Sequence, residues 1–230
     1  MFICAIVVAA GKSERLRSKV SKPLVRLGSR QILFYSLKTL TECPDVRQVI
    51  VVANRSNRGS IGRLIKLWRM PKIAGVVDGG ERRQDSVANG LNALAPRCSH
   101  VLIHDSARPF VDKSSLKRLI NAVLKTGAAI LGVPVKSTIK EARASGAGSI
   151  PVVGQTLKRG LLWEIQTPQA FRKDILLKAY NSFGMIDVTD DSALVEKLGI
   201  PVSLVMGSYA NIKITTPEDL HAAAALLKKR

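Results

Sequence analysis

Short apolar runs alternate with amphipathic segments along most of the chain. The apolar runs are rich in β-branched residues and have the length of buried strands: 2–8 (FICAIVV), 48–53, 73–77, 100–104 and 128–135. The segments between them place apolar residues at helical spacing: 31–43, 60–70, 84–94 and 113–126. This alternation predicts an α/β fold, in which a Rossmann-like, mostly parallel twisted sheet carries helices on both faces.

The pattern changes between residues 136 and 160. Thr and Ile patches there surround a centre rich in Gly, Ala and Ser, which is typical of a long hairpin or protruding β-arm. Farther on, the pattern predicts a helix near 190–198, a strand over 201–207 and another strand ending at Thr215. Thr216 is expected to cap a terminal helix that has Pro217 in its first turn. We therefore expect a single domain, 1–230, with one projecting arm at 136–160.

Composition narrows the classes of protein that are compatible with this pattern. The 230 residues include 46% hydrophobic residues, enough to form the core of one α/β domain. The formal charge of +19 argues for anionic partners. It fits a phosphorylated small-molecule substrate, a basic cytoplasm or incidental RNA contact about equally well, so the charge by itself does not decide between them. Three scattered cysteines, no basic leader and no apolar run of about 18 residues favour a cytoplasmic protein without a membrane partner.

Ligands of open parallel sheets bind beyond the carboxyl ends of the strands, and the loop over 9–22 follows the first strand. It matches neither the dinucleotide fingerprint nor the Walker loop, since Ile6 stands where a Walker loop needs Gly. Gly11 allows backbone N–H groups to approach phosphate oxygens, and Arg15 and Lys22 supply positive charge. A turn with a solvated basic loop is the alternative interpretation.

The motif HDSARPF (104–110) follows the fourth predicted strand. Asp105 is a suitable ligand for Mg²⁺, which prefers one or two carboxylates together with substrate phosphates. Arg108 is able to hold a second anion in a bidentate fork. Alternatively, Asp105 caps the turn and pairs with Arg108. His104 is expected to be a packed strand residue rather than a base.

Two further motifs lie at helix starts. DGGERRQDS (78–86) has glycines that permit close backbone approach, followed by Ser86, and it suits a base edge or a ribose. A tight turn with a Ser or Asp cap explains it equally well. In VTDDSALVE, Asp190 and Asp191 are good helix-start residues, and we assign them no chemical role.

Six motifs, in order along nearly the whole chain, resemble the 2-C-methyl-D-erythritol 4-phosphate cytidylyltransferase family. They are VVAAGKSERLRSKVSKPL, DGGERRQDSVANGL, HDSARPFV, WEIQTPQAF, TDDSALVEKLG and NIKITTPEDL. The resemblance implies transfer of CMP from CTP to 2-C-methyl-D-erythritol 4-phosphate in non-mevalonate isoprenoid biosynthesis, with release of pyrophosphate. Transfer to another polyol phosphate, such as ribitol 5-phosphate, is the nearest alternative. A basic nucleic-acid-binding protein and a catalytically silent relative are more distant ones.

The resemblance also implies roles for individual residues. Catalytic roles are implied for four cations: Arg15, Lys22, Arg159 and Lys213. Of these, Arg15 and Lys22 would stabilise the transition state. Nucleotide binding is implied for Ala9, Ala10, Gly11, Gly80, Glu81, Ser86 and Ser106. Binding of the acceptor phosphate is implied for Arg108, Thr138 and Thr167, and Mg²⁺ as cofactor for Asp105. Relatives are homodimers that exchange arms, so the 136–160 arm is expected to dimerise and Arg159 to serve the partner's site.

Overall fold

The computed structural model describes residues 1–11, 16, 20–143 and 150–229. The strands in this part of the chain are β1 Ile3–Ala9, β2 Arg26–Leu27, β3 Arg30–Gln31, β4 Val46–Ala53, β5 Ile73–Asp78, β6 His100–Asp105, β7 Ala128–Pro134, β8 Lys140–Arg143, β9 Val152–Thr156, β10 Trp163–Arg172 and β11 Ser203–Met206. The α-helices are α1 Ile32–Glu42, α2 Arg55–Trp68, α3 Arg83–Asn92, α4 Lys113–Thr126, α5 Lys173–Phe183, α6 Ser192–Lys197 and α7 Pro217–Lys228. The α/β alternation that the sequence predicts is confirmed.

Seven strands form the main sheet, in the order β11-β7-β10-β6-β1-β4-β5. The pairs β1–β4, β1–β6, β4–β5 and β7–β11 are parallel. Strand β10 runs antiparallel to both of its neighbours, β6 and β7. The sheet is therefore mostly parallel, and one reversed strand separates its two parallel parts.

The helices cover both faces of the sheet, and β1 shows how the sequence divides between them. Successive side chains of a strand point to opposite faces. Ala5 and Val7 accordingly pack with residues of α1, α2 and α4 in one buried cluster. Cys4 and Ile6 pack with residues of α3, α5 and α6 in another. Strand β1 is thus buried on both faces, as its continuous apolar run predicts.

Within the 136–160 segment, β8 and β9 pair antiparallel in a sheet of their own. Several apolar side chains near this hairpin are exposed, among them Val153 at 64% and Leu161 at 78%. The sequence-based expectation of a hairpin in this segment agrees with the pairing, while its role in dimerisation stays a prediction.

The expected strand ending at Thr215 is wrong. Residues 211–215 have no regular secondary structure and pair with no strand among the described residues. The N–H of Ile214 instead donates to the carbonyl of Ala107 at 2.9 Å, and Ile214 is fully buried in a third, smaller cluster with Phe110. Hydrogen bonds to loops and side chains, among them that from Arg108 Nη1 to the carbonyl of Asn211, hold the segment in place of a strand ladder, so an apolar sequence alone does not make it a sheet strand. The terminal helix is confirmed, with Thr216 and Asp219 forming its capping box.

No α-helix in the described ranges has the combined length and apolarity that crossing a lipid bilayer requires.

Candidate active site

Two cavities adjoin at the carboxyl ends of the parallel strands. We call the first the nucleotide cavity, after the residues in its lining that are expected to bind a nucleotide; its volume is about 590 Å³, and it lies against the ends of β1 and β6. We call the second the acceptor cavity, after Arg108 and Thr167, which are expected to bind the acceptor; its volume is about 570 Å³, and it lies between β10 and the segment before α6. Both cavities are lined by the same three charged residues, Arg83, Asp105 and Lys213. These residues, hereafter the junction, form the shared wall between the two spaces.

The nucleotide cavity gathers residues that the sequence analysis took from three separate motifs. All seven residues expected to bind the nucleotide line it: Ala9, Ala10, Gly11, Gly80, Glu81, Ser86 and Ser106. Lys22 lines it as well. The carboxyl ends of neighbouring parallel strands meet at one edge of a sheet, which is why motifs far apart in sequence converge here.

The glycines at 79 and 80 allow the turn after β5 to lie against the start of α3. A Cβ on Gly79 would lie 2.5 Å from Ala10 Cβ, and one on Gly80 would lie 2.3 Å from Asp85 Cβ. The N–H of Gly80 donates to Ser86 Oγ at 3.1 Å, and Ser86 Oγ donates to the carbonyl of Arg82. Ser86 therefore stabilises the turn itself, which fits the structural interpretation of this motif as well as the nucleotide-binding one.

Lys22 begins a 3₁₀ turn, Lys22–Leu24, directly after Ser21. Asn57 of α2 is buried, and its Nδ2 donates to the carbonyl of Ala9 at 3.2 Å and to Ser21 Oγ at 3.3 Å. This one amide therefore ties the end of β1 to the residue that precedes Lys22. The sequence analysis missed Asn57, because nothing local in a helical pattern marks a side chain that bridges two loops.

Asp105 is the most constrained acid of the site. Its Oδ2 lies 2.6 Å from Lys213 Nζ, and its Oδ1 lies 3.4 Å from Arg83 Nη2. Burial alone would raise the pKa of Asp105, but Arg83 and Lys213 outweigh burial and hold that pKa well below its usual range. Asp105 is thus a permanent anion between two cations. The side chain of Asp105 pairs with Arg83 and Lys213 rather than with Arg108, although the charge of Arg108 also lowers the pKa of Asp105.

Arg108 lines the acceptor cavity, and its guanidinium donates to backbone carbonyls rather than to a carboxylate. Its Nη1 donates to the carbonyl of Asn211 at 2.8 Å and its Nη2 to the carbonyl of Ile165 at 3.2 Å. The Nε atom is buried and has no hydrogen-bond partner among the described residues. Carbonyls accept these hydrogen bonds without a charge of their own, so Arg108 brings a positive charge to the lining of the acceptor cavity.

Thr167 also lines the acceptor cavity, and its hydroxyl completes a buried chain of hydrogen bonds. The carbonyl of Arg108 only accepts, so His104 Nε2 donates to it at 3.1 Å. His104 Nδ1 then accepts from Thr167 Oγ1 at 3.1 Å, and Thr167 Oγ1 accepts from the N–H of Asp105 at 3.0 Å. Burial lowers the pKa of His104 to about 4, so the ring is neutral. His104 is therefore a packed structural residue, as the sequence predicts.

Arg83 and Asp191 are functional candidates to which the sequence analysis assigned no role. Arg83 Nη1 donates to Asp191 Oδ2 at 2.7 Å, and Tyr180 Oη donates to Asp191 Oδ1 at 2.6 Å. Asp191 is 1% exposed. Each of these residues stands in a motif that has an adequate structural explanation, so only their proximity in the fold reveals the pair.

Two of the described residues that were expected at the site are not brought to these cavities. Arg15 lies outside the described residues. Thr138 is exposed, and Arg159 donates through Nη1 to the carbonyl of Lys136 at 2.7 Å. Neither Thr138 nor Arg159 lines either cavity.

The α/β fold, with two cavities that share one charged junction, fits the class of group-transfer enzymes. Residues 3–229 match the family model described as IspD: 2-C-methyl-D-erythritol 4-phosphate cytidylyltransferase. The chain belongs to this family. Curated relatives with that same name include one from Dehalococcoides mccartyi, 43% identical over 98% of this chain and 96% of the relative, and one from Geobacillus kaustophilus, 42% identical over 98% and 97%.

Solved structures agree with the family assignment. The crystal structure of 4-diphosphocytidyl-2C-methyl-D-erythritol synthase from Anaerococcus prevotii superimposes with a TM-score of 0.86 at 33% identity, covering 99% of this chain and 96% of that one. The Thermus thermophilus cytidylyltransferase superimposes with a TM-score of 0.78 at 31% identity, covering 99% and 100%. The likeness extends over nearly the whole chain.

Proposed function

We propose that this chain transfers the cytidylyl group of CTP to 2-C-methyl-D-erythritol 4-phosphate and releases pyrophosphate. The observation that carries the proposal is the junction, because Arg83, Asp105 and Lys213 line both cavities of a chain that belongs to the cytidylyltransferase family. CTP occupies the nucleotide cavity and the acceptor phosphate enters the acceptor cavity. The α-phosphorus then lies near the wall that the two spaces share.

The transfer needs no general base. A phosphate monoester has its second pKa near ~6 and is largely dianionic at neutral pH. One of its oxygens forms a bond to the α-phosphorus, the bond from that phosphorus to the β-bridging oxygen breaks, and pyrophosphate leaves with the electron pair. The difficulty is repulsion between two anions, so positioning and clustered positive charge lower the barrier. Lys213 supplies charge at the junction, Lys22 supplies it in the nucleotide cavity, and Arg108 receives the acceptor phosphate.

The residues present fit a magnesium ion held with the substrate. Mg²⁺ is commonly bound by one or two carboxylates plus substrate phosphates, and the described residues contain no cluster of three or more His, Cys, Asp or Glu side chains. Asp105, an ionised carboxylate at the edge of the nucleotide cavity, would hold it. When bound, the ion neutralises charge on the triphosphate.

The arm is proposed to dimerise and to complete the partner's acceptor cavity. The exposed Val153 and Leu161 offer apolar surface to a second copy. Arg159 and Thr138 are exposed outside both cavities of their own chain, which supports a role for them in the partner's site.

The function is tested by incubating the purified chain with CTP, Mg²⁺ and one acceptor at a time. We expect pyrophosphate and 4-diphosphocytidyl-2-C-methyl-D-erythritol, identified by mass, with methylerythritol phosphate and little turnover of ribitol 5-phosphate. Turnover of ribitol 5-phosphate alone would contradict the proposed acceptor.

The arm is tested by subunit mixing. A Lys22→Ala homodimer and an Arg159→Ala homodimer are each expected to have low activity. Heterodimers purified with two different tags should recover part of the wild-type activity, because one of their two sites contains neither substitution. Verified heterodimers without recovery would show that each arm serves its own chain.

A further inference from the structure

We propose that Arg83 is a positioning residue for the transfer reaction, anchored by Asp191 and Tyr180 and acting through Asp105. The inference rests on the proposed function and deepens it, because it assigns a role at the junction to a side chain that the sequence motifs leave unassigned. It is carried by one array of contacts that runs from Tyr180 in α5 and Asp191 before α6 to the shared wall of the cavities.

The contacts of Arg83 are unequal, and the inequality shows which partner determines its position. Its Nη1 lies 2.7 Å from Asp191 Oδ2, the distance of a charge-assisted hydrogen bond. Its Nε and Nη2 both lie 3.4 Å from Asp105 Oδ1, which is long for a hydrogen bond. The guanidinium is therefore fixed by Asp191 and presents its remaining edge to Asp105.

Asp191 is itself held from two further sides. Tyr180 of α5 donates to its Oδ1 at 2.6 Å, and its backbone N–H donates to Gln169 Oε1 at 3.2 Å. Burial, reinforced by the charge of Asp191, raises the pKa of Tyr180, so the phenol keeps the proton that it donates. With the carboxylate 1% exposed and bonded on both oxygens, Arg83 has a rigid anchor.

The other end of the array is Lys213. Asp105 Oδ2 lies 2.6 Å from Lys213 Nζ, so the two oxygens of Asp105 face two different cations. If Arg83 moved, the carboxylate of Asp105 would lose the partner that opposes Lys213. Asp105 and Lys213 would then both shift relative to the reacting phosphates. A displacement of about 1 Å at a reacting centre can cost about 100-fold in rate, so even a small shift of these side chains is expected to slow the transfer.

The test uses variants that keep the fold. Arg83→Lys keeps a positive charge opposite the buried Asp191 but lacks the planar fork that reaches both carboxylates, and Tyr180→Phe keeps the ring and removes one donor. Arg172→Lys is the matched control, since Arg172 makes a two-point pair with Asp174 and lies outside both cavities. We expect Arg83→Lys to lower kcat about tenfold or more with the KM for CTP changed less than about threefold. Tyr180→Phe should lower kcat about two- to fivefold and Arg172→Lys less than about twofold.

A double-mutant cycle separates positioning from a direct effect. Single-turnover rates are measured for Asp105→Asn with and without Arg83→Lys, with excess enzyme so that slow transfer is still measured. If Arg83 acts through Asp105, its substitution should change the rate of Asp105→Asn less than about threefold. Binding of α,β-methylene CTP and the urea midpoint are measured in parallel, and both should stay close to wild type in Arg83→Lys.

Three results would overturn the inference: wild-type kcat in Arg83→Lys, a tenfold loss that is additive with Asp105→Asn, or a loss confined to KM. Wild-type turnover of CTP with methylerythritol phosphate is measured first. Its absence would refute the proposed function, whereas its presence with any of the three results would refute the role of Arg83 alone.

Discussion

Gly90 lets α3 lie directly against the sheet, and α3 carries both Arg83 and Ser86. A Cβ added at Gly90 would lie 2.7 Å from Ile6 Cγ2 and 3.1 Å from Val52 Cγ2. Both neighbours are buried strand residues, so neither side chain has space to move away. We therefore expect Gly90→Ala to displace the helix outward and to destabilise the fold.

The size of the effect follows from two opposing contributions. Overpacking a core by one methyl group costs about 1–3 kcal/mol. Replacing a helical glycine by alanine returns about 0.5–1 kcal/mol. The two ranges combine to a net loss of up to about 2.5 kcal/mol in the free energy of unfolding, and we expect a reduced kcat because α3 positions Arg83.

Urea unfolding followed by circular dichroism measures this loss, and Gly62→Ala in α2 is the control. A Cβ at Gly62 would meet nothing within 4 Å, so this substitution should stabilise the protein by about 0.5–1 kcal/mol. If Gly90→Ala lowers the free energy of unfolding and Gly62→Ala raises it, the difference is explained by the close packing of α3 against the sheet. A Gly90→Ala variant as stable as Gly62→Ala would refute the reasoning.

Other predictions concern the cations and one helix cap. Lys22→Ala and Lys213→Ala should each lower kcat about 100-fold or more, with a smaller change in CTP affinity, because positive charge on the transferring phosphoryl group acts chiefly in the transition state; steady-state kinetics check this, and an unchanged kcat would exclude the role. Asp112 caps α4 by accepting from the N–H of Ser115 at 2.7 Å, so Asp112→Ala should cost about 1 kcal/mol in a urea titration. Burial opposes ionisation of Asp112, but hydrogen bonds from Ser114 and Ser115 outweigh it and lower its pKa. The contribution of the cap is therefore complete above the ordinary pKa near ~4 and is lost as the pH falls through the lower folded value. A difference between wild type and Asp112→Ala that does not shrink at any pH below ~4 at which both proteins stay folded would contradict this.

Most of the fold was predictable because hydrophobic periodicity reports burial. The run 2–8 corresponds to β1, buried on both faces, and the predicted helices correspond to α1, α2, α3 and α4. Strand β10 is one element that the pattern missed. Its motif WEIQTPQAF contains polar residues, yet Gln166 and Gln169 are buried with hydrogen bonds to other segments. Polar residues that are satisfied only by tertiary contacts do not give a strand pattern.

The candidate site was predictable where motifs follow strands. Ala9, Gly80 and Ser106 come together because the carboxyl ends of parallel strands share one edge of the sheet. The anchoring of Arg83 by Asp191 was not predictable, since 108 positions separate these residues and each has a sufficient local explanation. Long-range ion pairs carry no signal in the spacing of a single sequence.

The most direct test of the account is pyrophosphate release measured with each of the four ribonucleoside triphosphates, in the presence and absence of 2-C-methyl-D-erythritol 4-phosphate. The account predicts release that requires both CTP and the acceptor, since the two ligands must meet across Arg83, Asp105 and Lys213. Release from CTP at the same rate without the acceptor, or an equal rate with all four nucleotides, would contradict it.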